Sequence, residues 1–278
     1  MKVYDCFMFF NELDLVEVRL EELYDVVDYF VIAESNVTHA GNPKPYTFLD
    51  NIERFSKYKS KIRHIKVDDM PDNVSGMYRD NYQRHSLHKG LTDLGPEDLV
   101  IVSDLDEIPR AELIHMIKED ANDYDRYFLN LPQFRHRLNF MLVKDNHKFT
   151  NIVVTKGHAF TDPHKEREFT FPWSAKPNNH VVLEHGGWHF TWLGNDQEVI
   201  TKLQNFAHTD LNNEQTVANI NIHDVIERKA SFLPNHNEGF EYVVINDYFP
   251  DAIRNNISKW QHLIIPDAVT EVTDIYKD

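Results

Sequence analysis

Asp104, Asp106 and Glu107 put three carboxylates within four residues, directly after the apolar run Leu99–Val102 and just before Ile108-Pro109. Alternate side chains of a strand share a face, so this spacing points Asp104 and Asp106 the same way and turns Leu105 back into the core. Two carboxylates on one face repel unless a cation or a shared proton sits between them. The carboxyl end of a buried strand is also where open α/β sheets hold ligands. A divalent ion with oxygen ligands is the chemistry this pattern supports. The plainer alternative is that one aspartate caps a helix starting after Pro109 and the others are solvated.

A second group is Gly186-Gly187-Trp188-His189-Phe190-Thr191-Trp192. In an extended segment His189 and Thr191 face one way, and Trp188, Phe190 and Trp192 the other. The glycines let another group approach the backbone closely. His189 reads either as a ligand or as a histidine satisfied within the core. Aromatic rings beside polar groups also suit the apolar face of a sugar. Little else competes: the sequence has no phosphate-cradling glycine loop and no H-E-x-x-H. Its one cysteine, Cys6, excludes an intrachain disulfide and a cysteine zinc site.

The elements that must position these groups read as α/β. Val3 to Phe10 is a strand, apolar but for Asp5. Leu13, Val16, Leu20, Leu23 and Val27 recur on one helical face, with Arg19 among the charged residues off it. Asp28 to Ala33, Lys61 to Val67 and Leu99 to Val102 read as further strands, and Arg79 to Leu91 as a helix. Tyr127 to Val143 reads as paired strands, Asp162 to Asn179 as a long loop, and Glu198 to His208 as a helix. With 278 residues and no clean linker, we expect one domain. The formal charge is −16, so a polyanion is repelled on average and nucleic acid is excluded as a general partner. A small anion needs a local cation or a metal ion. No stretch has the length and apolarity of a membrane span, and the N-terminus has no signal-peptide core, which fits a cytoplasmic location.

In order along the chain, DCFMFFNELDLVEVRLEEL, VDYFVIAES, YRDNYQR, DLVIVSDLDEIPR and HGGWHFTWLG resemble glycosyltransferase family 17, of a soluble bacterial or viral type. The resemblance covers most of the chain and is weakest between about 145 and 180. It implies a GT-A-like glycosyltransferase fold: a Rossmann-like mixed sheet flanked by helices. Residues 1–120 would be the nucleotide-sugar-binding half, and 121–278 the acceptor-side half with C-terminal helices. It further implies a UDP-sugar donor such as UDP-GlcNAc, Mn²⁺ or Mg²⁺, inversion at the anomeric carbon, and a glycan or glycolipid acceptor. By position, Asp106 would ligate the metal, Asp104 would contact ribose or reach the metal through water, and His189 would complete the metal shell. Asn11, Glu12, Glu34 and Ser35 would line the nucleotide pocket. Arg84 would meet phosphate or sugar, or else form a surface ion pair. Asp210 is the candidate general base, with Glu107, Asp196 and Glu198 as rivals. A non-catalytic carbohydrate-binding protein holding Ca²⁺ is the alternative from another class. A haloacid-dehalogenase-type phosphatase and a nucleotidyltransferase fit less well, because the triplet comes late and strand one has no glycine- and lysine-rich loop after it.

Overall fold

The computed structural model describes the chain except residues 121–123, 145–149, 172–173, 208–211, 234–236 and 276–278. β1 (Val3–Phe9) alternates between two cores, with Val3, Phe7 and Phe9 on one face and Tyr4 and Cys6 on the other. It pairs in parallel with β2 (Tyr29–Ser35) and β4 (Leu99–Val102), and β2 pairs in parallel with β3 (Ile62–Val67). The crossovers cover both faces, which is why these strands are apolar nearly throughout. α1 (Leu13–Leu23), α2 (Thr47–Asp50) and α4 (Ala111–Glu119) pack on the Phe7 side, and the 3₁₀ turn after α3 (Gly76–His85) places Leu87 on the other. β9 (Thr150–Lys156) runs antiparallel between β4 and β6 (Arg126–Asn130), and β10 (His180–Leu183) closes the edge. The resulting order is β10-β6-β9-β4-β1-β2-β3. This α/β class, a Rossmann-like mixed sheet flanked by helices, is the one expected.

A second sheet takes β5 (Glu107–Pro109), β7 (Gln133–Arg135), β8 (Phe140–Lys144), β11 (Gly187–Thr191) and β12 (Gly239–Tyr242), in the order β12-β8-β7-β11-β5. Two local expectations change. Tyr127 to Val143 splits between sheets: β7 pairs with β8, but β6 joins the first sheet. Asp162 to Asn179 is not loop throughout. Asp162 caps α5 (Pro163–Glu168) by accepting from the His164 and Lys165 N–H groups, and proline occupies the first turn, where it removes no needed donor. α6 (Asp196–Asn205) opens with a full capping box made by Asn195 and Glu198. Among the described residues no helix is long and apolar enough to cross a membrane.

The acidic triplet is the passage between the sheets. The chain leaves the first sheet at Val102, turns with the Glu107 N–H donating to the Asp104 carbonyl at 3.1 Å, and enters the second at Glu107. Asp104 and Asp106 therefore lie in a turn rather than on a continuing strand. Arg19, expected off the apolar face of α1, is wholly buried. Its guanidinium pairs with Asp5 at 2.6 Å and donates to Ser103 Oγ and to the carbonyls of Asp104, Leu105 and Glu107. One side chain thus fixes the backbone of the whole turn.

Candidate active site

A cavity of about 370 Å³ opens where β1, β2 and β4 end. Glu12, Ser35, Asp104, Asp106, Glu107, Asn151, Arg167, His189 and Lys202 are on its wall. The volume is in the range of small-ligand sites. In a protein of charge −16, the basic groups on this wall are the local cations that an anionic ligand needs.

The two aspartates belong to separate charge chains. Asp104 accepts from Arg84 at 2.7 Å and from Arg167 at 3.0 Å, one to each oxygen. Arg84 also pairs with Asp80, and Asp80 lies 3.6 Å from His39. On the other side Arg167 pairs with Glu107 at 2.8 Å. Burial raises the Asp104 carboxyl, but Arg167 and Arg84 outweigh it and hold the group well below the usual carboxylate range. Asp106 accepts from Lys202 Nζ at 3.0 Å, and its other oxygen lies 3.7 Å from His189 Nε2. Lys202 Nζ is also 3.6 Å from Glu12. Burial again works against the Asp106 charge, and Lys202 and His189 turn the net shift downward.

Helix starts and a buried anchor place these cations. Glu166, fully buried, accepts from Arg126 and Thr155, tying α5 to β6 and β9 and leaving its neighbour Arg167 at the cavity. α6 follows directly on β11 and carries Lys202. His189 is held by the pairing of β11 with β5 and β7, and its Nδ1 lies 3.4 Å from the Asn151 amide. A Cβ on Gly187 would come 2.0 Å from the Ile108 carbonyl oxygen, so glycine is what lets β11 close on β5. Trp188 and Phe190 face the core as expected, but Trp192 does not follow the alternation. At φ +55° it turns onto the cavity wall, 6.0 Å from Phe206.

Of the expected nucleotide-pocket residues, Glu12 and Ser35 reach the cavity. Asn11 is exposed, and its N–H is donated to Glu12. Glu34 is fully buried and taken up by the structure: it accepts from the Phe48 N–H at the start of α2, from Lys44 and from His64. Arg84 is neither at the cavity surface nor a surface ion pair, because it is buried behind Asp104. Glu107 is on the wall, yet its carboxylate accepts from the Asp104 N–H, Asn151 and Arg167. Burial raises its pKa against the pull of Arg167. Asp196 and Glu198 are occupied by the N–H groups of Ile222 and Asn195. Asp210 lies outside the described residues.

Among the described residues, no three His, Cys, Asp or Glu side chains converge as a ready metal cage. Asp104 does not fit as a direct ligand, since both its oxygens accept from guanidinium groups. Asp106 and His189 do fit: one carboxylate and one imidazole face each other at the cavity, with a cation already drawn to the carboxylate. Two protein ligands suffice for a small divalent ion that takes the rest of its shell from substrate phosphates and water.

The Glycosyltransferase family 17 model matches residues 1–247. The beta-1,4-mannosyl-glycoprotein 4-beta-N-acetylglucosaminyltransferase of Homo sapiens is 35% identical over 116 residues, 39% of this chain and 22% of that protein. The Mus musculus protein of the same name is 34% identical over the same shares. The match thus spans about a fifth of these relatives' length. Among solved structures, S. aureus TarS 1-349 aligns with a TM-score of 0.37 at 12% identity, covering 78% of this chain and 68% of that one. The galactosyltransferase LgtC, in complex with donor and acceptor sugar analogs, aligns with a TM-score of 0.35 at 12% identity, over 62% and 67%.

Proposed function

This chain belongs to glycosyltransferase family 17, and from that membership we propose that its cavity binds UDP-N-acetylglucosamine and transfers the sugar, with inversion, to a hydroxyl of a glycan or glycoconjugate. One observation supports this reading above the others: in a strongly acidic protein, the cavity at the strand ends brings Arg84 and Arg167 onto Asp104 and Lys202 onto Asp106. Arg167 and Lys202 are the groups able to meet a diphosphate there. Arg84, behind Asp104, and Glu107, bonded to the turn, are positioning residues that keep the Asp104 carboxylate and the turn backbone in place. Glu12 and Ser35 flank the nucleotide end, and Trp192 offers a ring to a sugar face. A divalent ion, when bound, supplies charge neutralisation for the departing diphosphate, and Asp106 and His189 are the residues that would hold it.

The test is calorimetric titration with UDP, with and without Mn²⁺, on wild type and Asp106→Ala. The expected result is binding on the order of micromolar that needs Mn²⁺ and disappears in the variant. UDP-sugars are then screened for hydrolysis, and product anomers are read by NMR. A folded protein that binds glycans but no UDP under either condition sinks the transferase reading in favour of the binding-protein alternative.

A further inference from the structure

Lys202, like Arg167, is a site cation that no sequence motif announced, and it stands where a divalent ion would be drawn. Its ammonium is 3.0 Å from Asp106 and 3.6 Å from Glu12, and Asp106 is in turn 3.7 Å from His189. A single positive charge is therefore shared between two carboxylates beside the imidazole. Lys202 also fastens its helix. α6 buries Val199 and Leu203 in a small cluster with Ile220 and Ile222, separate from the main core. Its polar links to the first half of the chain include the Lys202 ion pairs and the Asn42–Asn205 hydrogen bond. The lysine stem is flexible and its charge is compact, so the head can change partners without refolding the helix.

We propose that Lys202 is an exchangeable resident cation: its ammonium holds the place of the divalent ion against Asp106 and Glu12, and gives it up when metal and diphosphate arrive together, turning then to the phosphates. The proposal rests on the metal-dependent donor reading above. Two cations crowded onto these carboxylates repel each other, and an incoming diphosphate relieves that repulsion by giving the ammonium a new partner. Metal alone should consequently bind weakly, and metal and nucleotide should strengthen each other reciprocally.

The experiment titrates the full chain with Mn²⁺, following free Mn²⁺ by electron paramagnetic resonance, with and without UDP. It compares wild type, Lys202→Met, Lys202→Arg and the double variant Asp106→Asn/Lys202→Met, with thermal melts to establish folding. The expected result is that Lys202→Met binds Mn²⁺ alone at least tenfold more tightly than wild type and gains less from UDP. Lys202→Arg, which keeps the charge, should follow wild type, and the double variant should lose the gain. If Lys202→Met does not fold, Lys202→Gln carries the same comparison. Mn²⁺ affinity in the neutral variant less than tenfold tighter than in wild type, with UDP binding still Mn²⁺-dependent in both, overturns the exchange and leaves the donor reading standing. UDP binding that ignores Mn²⁺ in every variant overturns the exchange and the metal with it.

Discussion

Arg19 and Arg167 approach the acidic turn differently: Arg19 holds backbone from beneath, Arg167 holds carboxylates from above. The Arg19 side chain and its partner Asp5 are both fully buried, so removing one leaves the other as an uncompensated charge. Arg19→Met should cost about 3–5 kcal/mol in urea denaturation, and the UDP affinity of the surviving folded protein should fall as well. A variant with the wild-type urea midpoint would mean that the clamp does not carry the turn. The pair was half legible in sequence: Asp5 interrupts an otherwise apolar strand, and Arg19 sits beside the apolar stripe of α1. Asp5 was an anomaly by itself and Arg19 an ordinary polar-face residue, and only the fold shows that they answer each other. Lys202 had no such signal, since a lysine on the polar side of an amphipathic helix is ordinary. Glu34 erred the other way. Its place at a strand end suggested a ligand contact, but a buried carboxylate must find donors, and α2 and Lys44 supply them.

At the scale of elements, α1 and α4 are joined by Glu22, which accepts from the Ala111 N–H at 3.1 Å in the first turn of α4. Burial, with Glu112 and Asp251 adding to it, raises the Glu22 carboxyl to about 7 despite that hydrogen bond. The folded pKa is above the unfolded one, so the native state binds the proton more tightly. This contribution to stability is full below about 4.5, the unfolded value, and is lost as pH rises through about 7. Glu22→Gln should remove the slope: between pH 5 and pH 8, wild type should lose roughly 1–3 kcal/mol more than the variant, read from paired urea melts. Parallel melts that keep the same offset at both pH values would mean that Glu22 does not titrate in this window. The elements themselves were largely readable where period and turn chemistry agreed, as in β1 to β4, α1 and α6. α5 was missed because prolines and charges suggested a loop, although Asp162-Pro163 is a helix start. The division of β6 from β7 was beyond reach, since alternation says which residues are buried but not against which sheet.

Across the whole molecule, the expected halves at 1–120 and 121–278 are interleaved rather than adjoining. β9, from the second half, pairs along β4 through four residue pairs, and Asn151 at its start reaches Glu107 and His189. β5, from the first half, is an edge of the second sheet. A fragment of residues 1–120 would expose the whole β4 edge and leave β5 without β11, and unpaired edges of apolar strands aggregate. Expressed alone, that fragment should show no cooperative urea transition. A sharp transition by circular dichroism would mean that the first half folds independently. The interleaving also bears on how such a chain can change over time. Two halves that each complete the other's sheet cannot be exchanged as cassettes between relatives. New specificities must then arise by substitution within one chain, with changes in either half felt through the strands it lends to the other.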